Sequence, residues 1–221
     1  MIKQFLALML FYFLTSTAYA EANKSYCSNQ LLAKPISHGF TWTLTSRLAQ
    51  ALREAEKRYG ERDHHWTILG VEFTANGQPQ VWYPFSNDDE KFIIVQLTQK
   101  ASCDDKEALF QLSHEVIHLL SPTGGDQQAS VFEEGLAAYF SIQFLNQQNF
   151  QASKDYIQTT GYKEAYEAVA MLYQQEEDVD KKIEILRLEN NGLSNISKAQ
   201  FMQAFPNIDE GLAEQLAGKF K

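Results

Sequence analysis

The chain has 221 residues, with 28 acidic and 19 basic side chains, and its formal net charge at pH 7 is −9. An acidic chain without a basic patch is a poor partner for nucleic acid or for an anionic membrane, so both classes of binding protein are excluded. The length is enough for one domain with a hydrophobic core. Peptides and proteins remain open as substrates or partners.

Residues 1–20 have the features of a secretory signal peptide. Lys3 is followed by an apolar run over 5–14, and Ala18-Tyr19-Ala20 supplies small residues where a signal peptidase cuts. The run is too short for a transmembrane span, although an uncleaved anchor is the alternative. We therefore expect an exported protein, periplasmic or secreted, without stable membrane association after cleavage. Residues 21–221 are expected to form a single domain.

Cys27 and Cys103 are the only cysteines in the chain. In an oxidising compartment such a pair indicates a disulfide bond. The bond would close a loop of about 75 residues and stabilise the fold by about 4 kcal/mol through loop entropy. Cys103 could instead be an additional metal ligand, but a closed site with four protein ligands would block catalysis.

A helix and three short strands are predicted between residues 43 and 98. Apolar residues recur at helical spacing over 43–59, and Gly60 follows, which predicts a helix that ends at glycine. Runs rich in β-branched and aromatic residues predict strands at 66–74, 81–85 and 92–98. Pro84 cannot donate a hydrogen bond to a ladder, so the middle strand is expected at a sheet edge.

The stretch His114-Glu115-Val116-Ile117-His118 is the strongest chemical signal in the chain. Two imidazoles four residues apart on a helix lie about 40° apart around its axis, so both can reach one small cation. Glu115 would lie beside that cation rather than on it. This spacing is typical of a zinc-hydrolase helix, and a chance match in an ordinary amphipathic helix is the alternative.

The flanking residues can support this helix. Asp104 with Glu107, or else Asp105, offers an N-terminal cap, and Pro122 is expected to stop the helix. One face should pack into the core while the face with His114 and Glu115 borders a cleft. The predicted core face consists of Leu109, Leu112, Val116, Leu119 and Leu120.

Two histidines hold zinc weakly, so a third protein ligand is needed. The candidates are Glu133, Glu134 and Asp126. Ser130 with Glu133 has the form of a capping box at the start of the next helix, and removing Glu133 would then mainly weaken that helix start. Glu134, one turn into the helix, can fold back onto the histidines.

The two histidines followed by Phe132-Glu133-Glu134-Gly135-Leu136-Ala137 resemble the gluzincin metallopeptidases. The resemblance implies that Glu134 is the third ligand of one zinc ion. It also implies a zincin-like α+β fold, in which a small mixed β-sheet with an antiparallel edge strand precedes the active-site helix, the glutamate helix and further helices. The edge strand, here 81–85, would bind the substrate in an extended pose, although a plain sheet edge fits that run equally well.

The sequence also departs from related families. Gly124 stands where metzincins have a third histidine, and Ala138 stands where the thermolysin type has an aspartate. The group that orients the zinc-binding imidazoles is therefore not evident, although one is expected. The glycine-methionine-glutamate-asparagine motif of gluzincin aminopeptidases is missing from the sequence. Asp126 keeps an aspzincin-like site open.

The expected mechanism is hydrolysis of a peptide bond by a zinc-activated water, with Glu115 as general base. The segment from Tyr162 to Tyr166 is similar to the tyrosine segment of gluzincin aminopeptidases, and the likeness implies that Tyr162 donates to the oxyanion. Tyr166 is the alternative donor. Both tyrosines also fit a helical core stripe that includes Val169 and Tyr173. The rival function is a secreted binding or scaffold protein that keeps a zincin frame without cleaving anything.

Two further sets of polar residues are expected at the surface. His38, His64 and His65 are interpreted as surface or hydrogen-bonded histidines rather than ligands. The charged run over 176–182 is interpreted as a solvated loop or helix surface.

Overall fold

The fold combines a small β-sheet with helices, as expected for the α+β class. The structure is a computed structural model that describes residues 35–40, 43–75, 77–84, 90–125 and 127–221. All of these residues belong to one compact unit that spans Leu31–Lys221. The predicted signal peptide and Cys27 lie outside the described residues, so the cleavage site and the bond to Cys103 stay predictions. Among the helices of the described part, none is both long and apolar enough to cross a membrane.

Seven α-helices occur in the described residues. Their bounds are α1 Leu44–Tyr59, α2 Asp105–His118, α3 Val131–Gln147, α4 Thr160–Gln175, α5 Val179–Glu189, α6 Lys198–Ala204 and α7 Glu210–Ala217. Two short 3₁₀ helices, Gln99–Cys103 and Lys154–Tyr156, precede α2 and α4.

Five strands form two sheets in the described residues. The strands are β1 Pro35–Ile36, β2 Gly39–Phe40, β3 Thr67–Thr74, β4 Gln80–Trp82 and β5 Phe92–Thr98. The first two form an antiparallel ribbon that the sequence analysis did not predict. The other three follow the order β3-β5-β4, with β5 parallel to β3 and antiparallel to β4. The predicted edge position of the middle strand is therefore confirmed, but the strand ends at Trp82, so Pro84 lies outside it.

Local sequence signals set the bounds of the first helix. The side chain of Thr43 accepts a hydrogen bond from the backbone nitrogen of Ser46, and the Ser46 side chain caps the Thr43 backbone in return. Gly60 ends the helix with a φ of 86°, a conformation that side chains with a Cβ rarely adopt. The predicted helix over 43–59 is thus confirmed to within one residue.

Helix α2 connects the central strand to the candidate site. Asp104 caps it by accepting hydrogen bonds from the backbone nitrogens of Lys106 and Glu107, at 3.0 and 3.1 Å. The predicted core face is confirmed, since all of its members are buried. The helix ends at His118, before Pro122, and the Leu120 carbonyl accepts hydrogen bonds from the backbone nitrogen of Asp63 at 3.0 Å and from Arg187 at 2.9 Å.

The buried guanidinium of Arg187 on α5 ties three segments together. It donates to the backbone carbonyls of Tyr59, Glu61 and Leu120 at 3.0, 2.6 and 2.9 Å, and to the Ser121 hydroxyl at 3.0 Å. Because buried carbonyls are costly to leave unpaired, this side chain holds the ends of α1 and α2 against α5.

The predicted solvated surface over 176–182 is wrong at its first residue. Glu176 is buried, and its carboxylate accepts hydrogen bonds from Lys182 at 2.7 Å and from the backbone nitrogen of Asn207 at 2.5 Å. The segment passes from α4 to α5 against the connection between α6 and α7. A buried carboxylate in this place is stabilised by both partners.

Helices α3 and α4 approach closely at Gly135. A Cβ atom added there would lie only 2.3 Å from the backbone oxygen of Ala165 and 2.9 Å from the Val169 side chain. No side chain larger than that of glycine fits this crossing without a backbone shift. Gly135 directly follows Glu134, and Tyr162 lies on α4 about one turn before Ala165, so the same contact sets the spacing of both candidate site residues.

We expect Gly135→Ala to destabilise the protein by about 1–3 kcal/mol, because the added methyl group overpacks a contact with backbone. Gly161→Ala is the matched control, since a Cβ at Gly161 on α4 would meet its nearest atom, in Phe220, at 3.5 Å, which is an ordinary contact. The control should change stability by less than about 1 kcal/mol. Urea unfolding measures both, and equal stabilities of the two variants would contradict this account of the crossing.

Candidate metal centre

Three side chains from two helices converge on one point. His114 and His118 lie on α2, and Glu134 lies on α3. The Glu134 Oε2 atom is 3.0 Å from His114 Nε2 and 3.8 Å from His118 Nε2. One ligand atom from each residue lies within 4.8 Å of the others. We call these residues the metal group.

The metal group fits a divalent cation. In a tetrahedral site with bonds of about 2.0–2.2 Å to nitrogen and oxygen, neighbouring ligand atoms lie about 3.3 Å apart. The two distances from Glu134 Oε2, 3.0 and 3.8 Å, lie on either side of this value. The donor set of two imidazoles and one carboxylate is also one that zinc accepts, with a coordination position left open. The three ligand atoms, all within 4.8 Å of one another, are therefore close enough to hold one ion between them.

Glu133 does not have the role that the capping-box pattern predicts. Half of the box is present, since the Ser130 hydroxyl accepts a hydrogen bond from the Glu133 backbone nitrogen at 3.1 Å. The Glu133 carboxylate instead lies 2.8 Å from His118 Nδ1 and accepts a hydrogen bond from the Ser194 hydroxyl. The backbone nitrogen of Ser130 also donates a hydrogen bond to the Ser194 hydroxyl oxygen. Sequence reasoning missed Ser194 entirely, because no spacing pattern links it to the helix start.

Glu115 lies beside the metal group in the same cleft. Its side chain is buried, and it lines the cleft together with His114 and His118. Burial raises the pKa of the Glu115 carboxyl, and the raised pKa persists although the two imidazoles oppose it. Glu115 therefore lies close to the metal group but is not one of its three residues.

The ligand candidates titrate differently from Glu115. Burial would raise the pKa of Glu134, but His118 and the hydrogen bond with His114 hold it below the ordinary value. Burial would lower the pKa of His118, but the carboxylates of Glu134 and Glu133 raise it to about 10. The pKa of Glu134 is thus lowered, whereas that of the neighbouring Glu115 is raised. Opposite shifts of two neighbouring carboxyl groups are typical of sites in which one stays charged and the other takes up a proton.

Tyr162 lies at the metal group and Tyr166 does not line the cleft around it. The Tyr162 ring packs edge-on to the His114 ring, with centroids 5.5 Å apart, and it also contacts the Phe220 ring at 4.6 Å. Burial, and then the nearby carboxylates, raise the pKa of the Tyr162 phenol, so it keeps its proton as a donor. Tyr166 packs on Tyr139, with centroids 5.6 Å apart.

The cleft extends in two directions from the metal group. One lobe, of about 220 Å³, is lined by His118 and by Val81 and Tyr83 from the edge-strand region. The other lobe, of about 410 Å³, has Phe110 and Tyr156 in its wall. His114, Glu115 and Tyr162 line both lobes. The predicted substrate rim over 81–85 therefore borders the cleft in part, while Phe85 lies outside the described residues.

The remaining candidates are not brought to the metal group. His38, His64 and His65 are exposed, and His65 Nδ1 lies 2.6 Å from the neighbouring Asp63 carboxylate. Asp126, the aspzincin-like alternative, lies outside the described residues.

Comparisons with known proteins do not identify a relative of this chain. No family model matches the chain, and searches of curated proteins and of solved structures found no significant match.

Proposed function

We propose that the protein is an exported zinc-dependent peptidase with a zincin-type frame. The observation that carries the proposal is the convergence of His114, His118 and Glu134 in a cleft that also contains Glu115. Three protein ligands with a neighbouring carboxylate are typical of a hydrolytic metal site, whereas structural zinc sites close all four positions with protein. The order of elements, with a mixed sheet leading into the helix of the two histidines, agrees with this frame.

In this proposal His114, His118 and Glu134 hold one zinc ion. When bound, zinc would lower the pKa of a water molecule and polarise the carbonyl of the scissile peptide bond. Glu115 takes a proton from the attacking water and later gives it to the leaving amine, which needs a carboxylate in the cleft and not among the ligands. Its position one residue after His114, on the cleft side of α2, meets this need.

Tyr162 is proposed as the donor to the oxygen that becomes negative in the tetrahedral intermediate. The Tyr162 ring borders both lobes of the cleft and packs on the ring of His114, which supports a position close to the reacting carbonyl. A donor held in place before the reaction stabilises the developing charge without reorganisation.

The substrate is proposed to be an extended peptide segment along β4. Within the described residues β4 pairs with β5 on one side, which leaves its other edge available for backbone hydrogen bonds. Gln80 and Val81 from this strand line the cleft next to the metal group. Adding a strand to a sheet edge is a common way to bind a peptide without strict dependence on its sequence.

Glu134→Ala is expected to reduce bound zinc from about one ion per chain to a small fraction, since two imidazoles alone bind it weakly. Metal analysis of purified, dialysed protein measures this loss. Glu164→Ala, at an exposed glutamate on α4, is the control and should keep its zinc. Full zinc content in Glu134→Ala would remove this residue from the ligand set.

Glu115→Gln is expected to keep zinc and to lower peptide hydrolysis by at least about 100-fold, because the amide cannot take the proton. Casein or a peptide library serves as substrate for the wild type and the variant. A wild type that binds zinc but shows no turnover dependent on Glu115 would support a binding or scaffold protein instead.

Tyr162→Phe is expected to lower kcat by about 100-fold or more while zinc content and KM change little, since the hydroxyl acts on the transition state. Tyr166→Phe is the matched control and should leave kcat unchanged, because Tyr166 packs on Tyr139. Equal kcat values for Tyr162→Phe and the wild type would exclude Tyr162 as the donor.

A further inference from the structure

We propose that Glu133, held by Ser194, is a positioning residue that orients His118 toward the metal. The inference rests on the proposed metal site and adds two residues that bind no metal themselves. It assigns a role to a buried carboxylate that the mechanism does not otherwise use.

The two nitrogens of His118 have different partners. Nε2 faces the metal group, 3.8 Å from Glu134 Oε2, while Nδ1 lies 2.8 Å from Glu133 Oε1. Nδ1 is held in this hydrogen bond, so Nε2 is the nitrogen that would coordinate an ion. A carboxylate on the far nitrogen fixes the orientation of a metal-binding imidazole ring.

Ser194 fixes the direction of the Glu133 carboxylate. The Ser194 hydroxyl oxygen accepts a hydrogen bond from the backbone nitrogen of Ser130 at 2.8 Å, so its own proton is free to point at Glu133 Oε2, with which it is hydrogen-bonded. The backbone of Glu133 is held as well, since its nitrogen donates to the Ser130 hydroxyl at 3.1 Å. Both ends of the Glu133 side chain are therefore constrained.

The chain of contacts is buried and is held from the far end of the sequence. The side chains of His118 and Glu133 are 16% and 10% exposed, so hydrogen bonds between them are little weakened by water. Ser194 lies between α5 and α6, 61 residues from Glu133. Its carbonyl accepts a hydrogen bond from Lys219 at 3.1 Å. We infer that zinc affinity depends on this segment, outside the helices that carry the ligands.

The test measures zinc affinity by competition with a chromophoric chelator. Glu133→Gln keeps the size of the side chain but removes its charge, and it should weaken zinc binding about 10–100-fold. Ser194→Ala keeps the Glu133 carboxylate but removes the hydrogen bond that orients it. This variant should also lose zinc affinity, but by a smaller factor. The visible spectrum of cobalt-substituted protein should shift in both variants, because the geometry of His118 at the metal changes.

Thr43→Ala is the control for a merely structural effect. It removes the N-terminal cap of α1, which carries no residue of the metal group, so it should lower the unfolding temperature of metal-free protein while zinc affinity and the cobalt spectrum stay unchanged. Wild-type affinity in both Glu133→Gln and Ser194→Ala would overturn the inference and leave the proposed function intact. A wild type that binds no zinc would overturn both.

Discussion

The structure depends on the packing of α2 against α3, which buries two carboxylates beside two imidazoles. Taking a charged carboxylate out of water is unfavourable by several kcal/mol unless a partner compensates it. Glu134 has His114 at 3.0 Å, and Glu133 has His118 at 2.8 Å. Each carboxylate is thus paired within the contact that buries it. The pairing also orders the side chains, because a buried polar group has few alternative positions in which its partners are kept.

The rest of the fold maintains this contact from several sides. Gly135 lets α4 approach α3 closely enough to place Tyr162 against His114. Arg187 holds the end of α2 through the Leu120 carbonyl, just after His118. Since these supports come from α4 and α5, the C-terminal half of the chain contributes to the geometry of a motif that lies before it in the sequence.

Sequence reasoning predicted the parts of the structure that local patterns determine. The bounds of α1, the core face of α2 and the edge position of β4 follow from capping residues, helical spacing and a proline. It failed where a residue has a long-range partner. Glu133 and Glu176 read as a helix cap and as solvated charge, but their carboxylates bind Ser194 and Asn207, 61 and 31 residues away. A spacing pattern detects only local partners, so such roles need the folded chain.

The adjacent pair Glu133 and Glu134 illustrates why the sequence left the third ligand open. Consecutive residues on a helix point about 100° apart, so they cannot both face one metal position, but they can face the two nitrogens of one imidazole. Glu134 approaches Nε2 of His118 and Glu133 approaches Nδ1, at 3.8 and 2.8 Å. If α3 were rotated by one residue, Glu133 would face the metal group and no carboxylate would remain for Nδ1. The rotation of α3 about its axis therefore selects which glutamate is the candidate ligand.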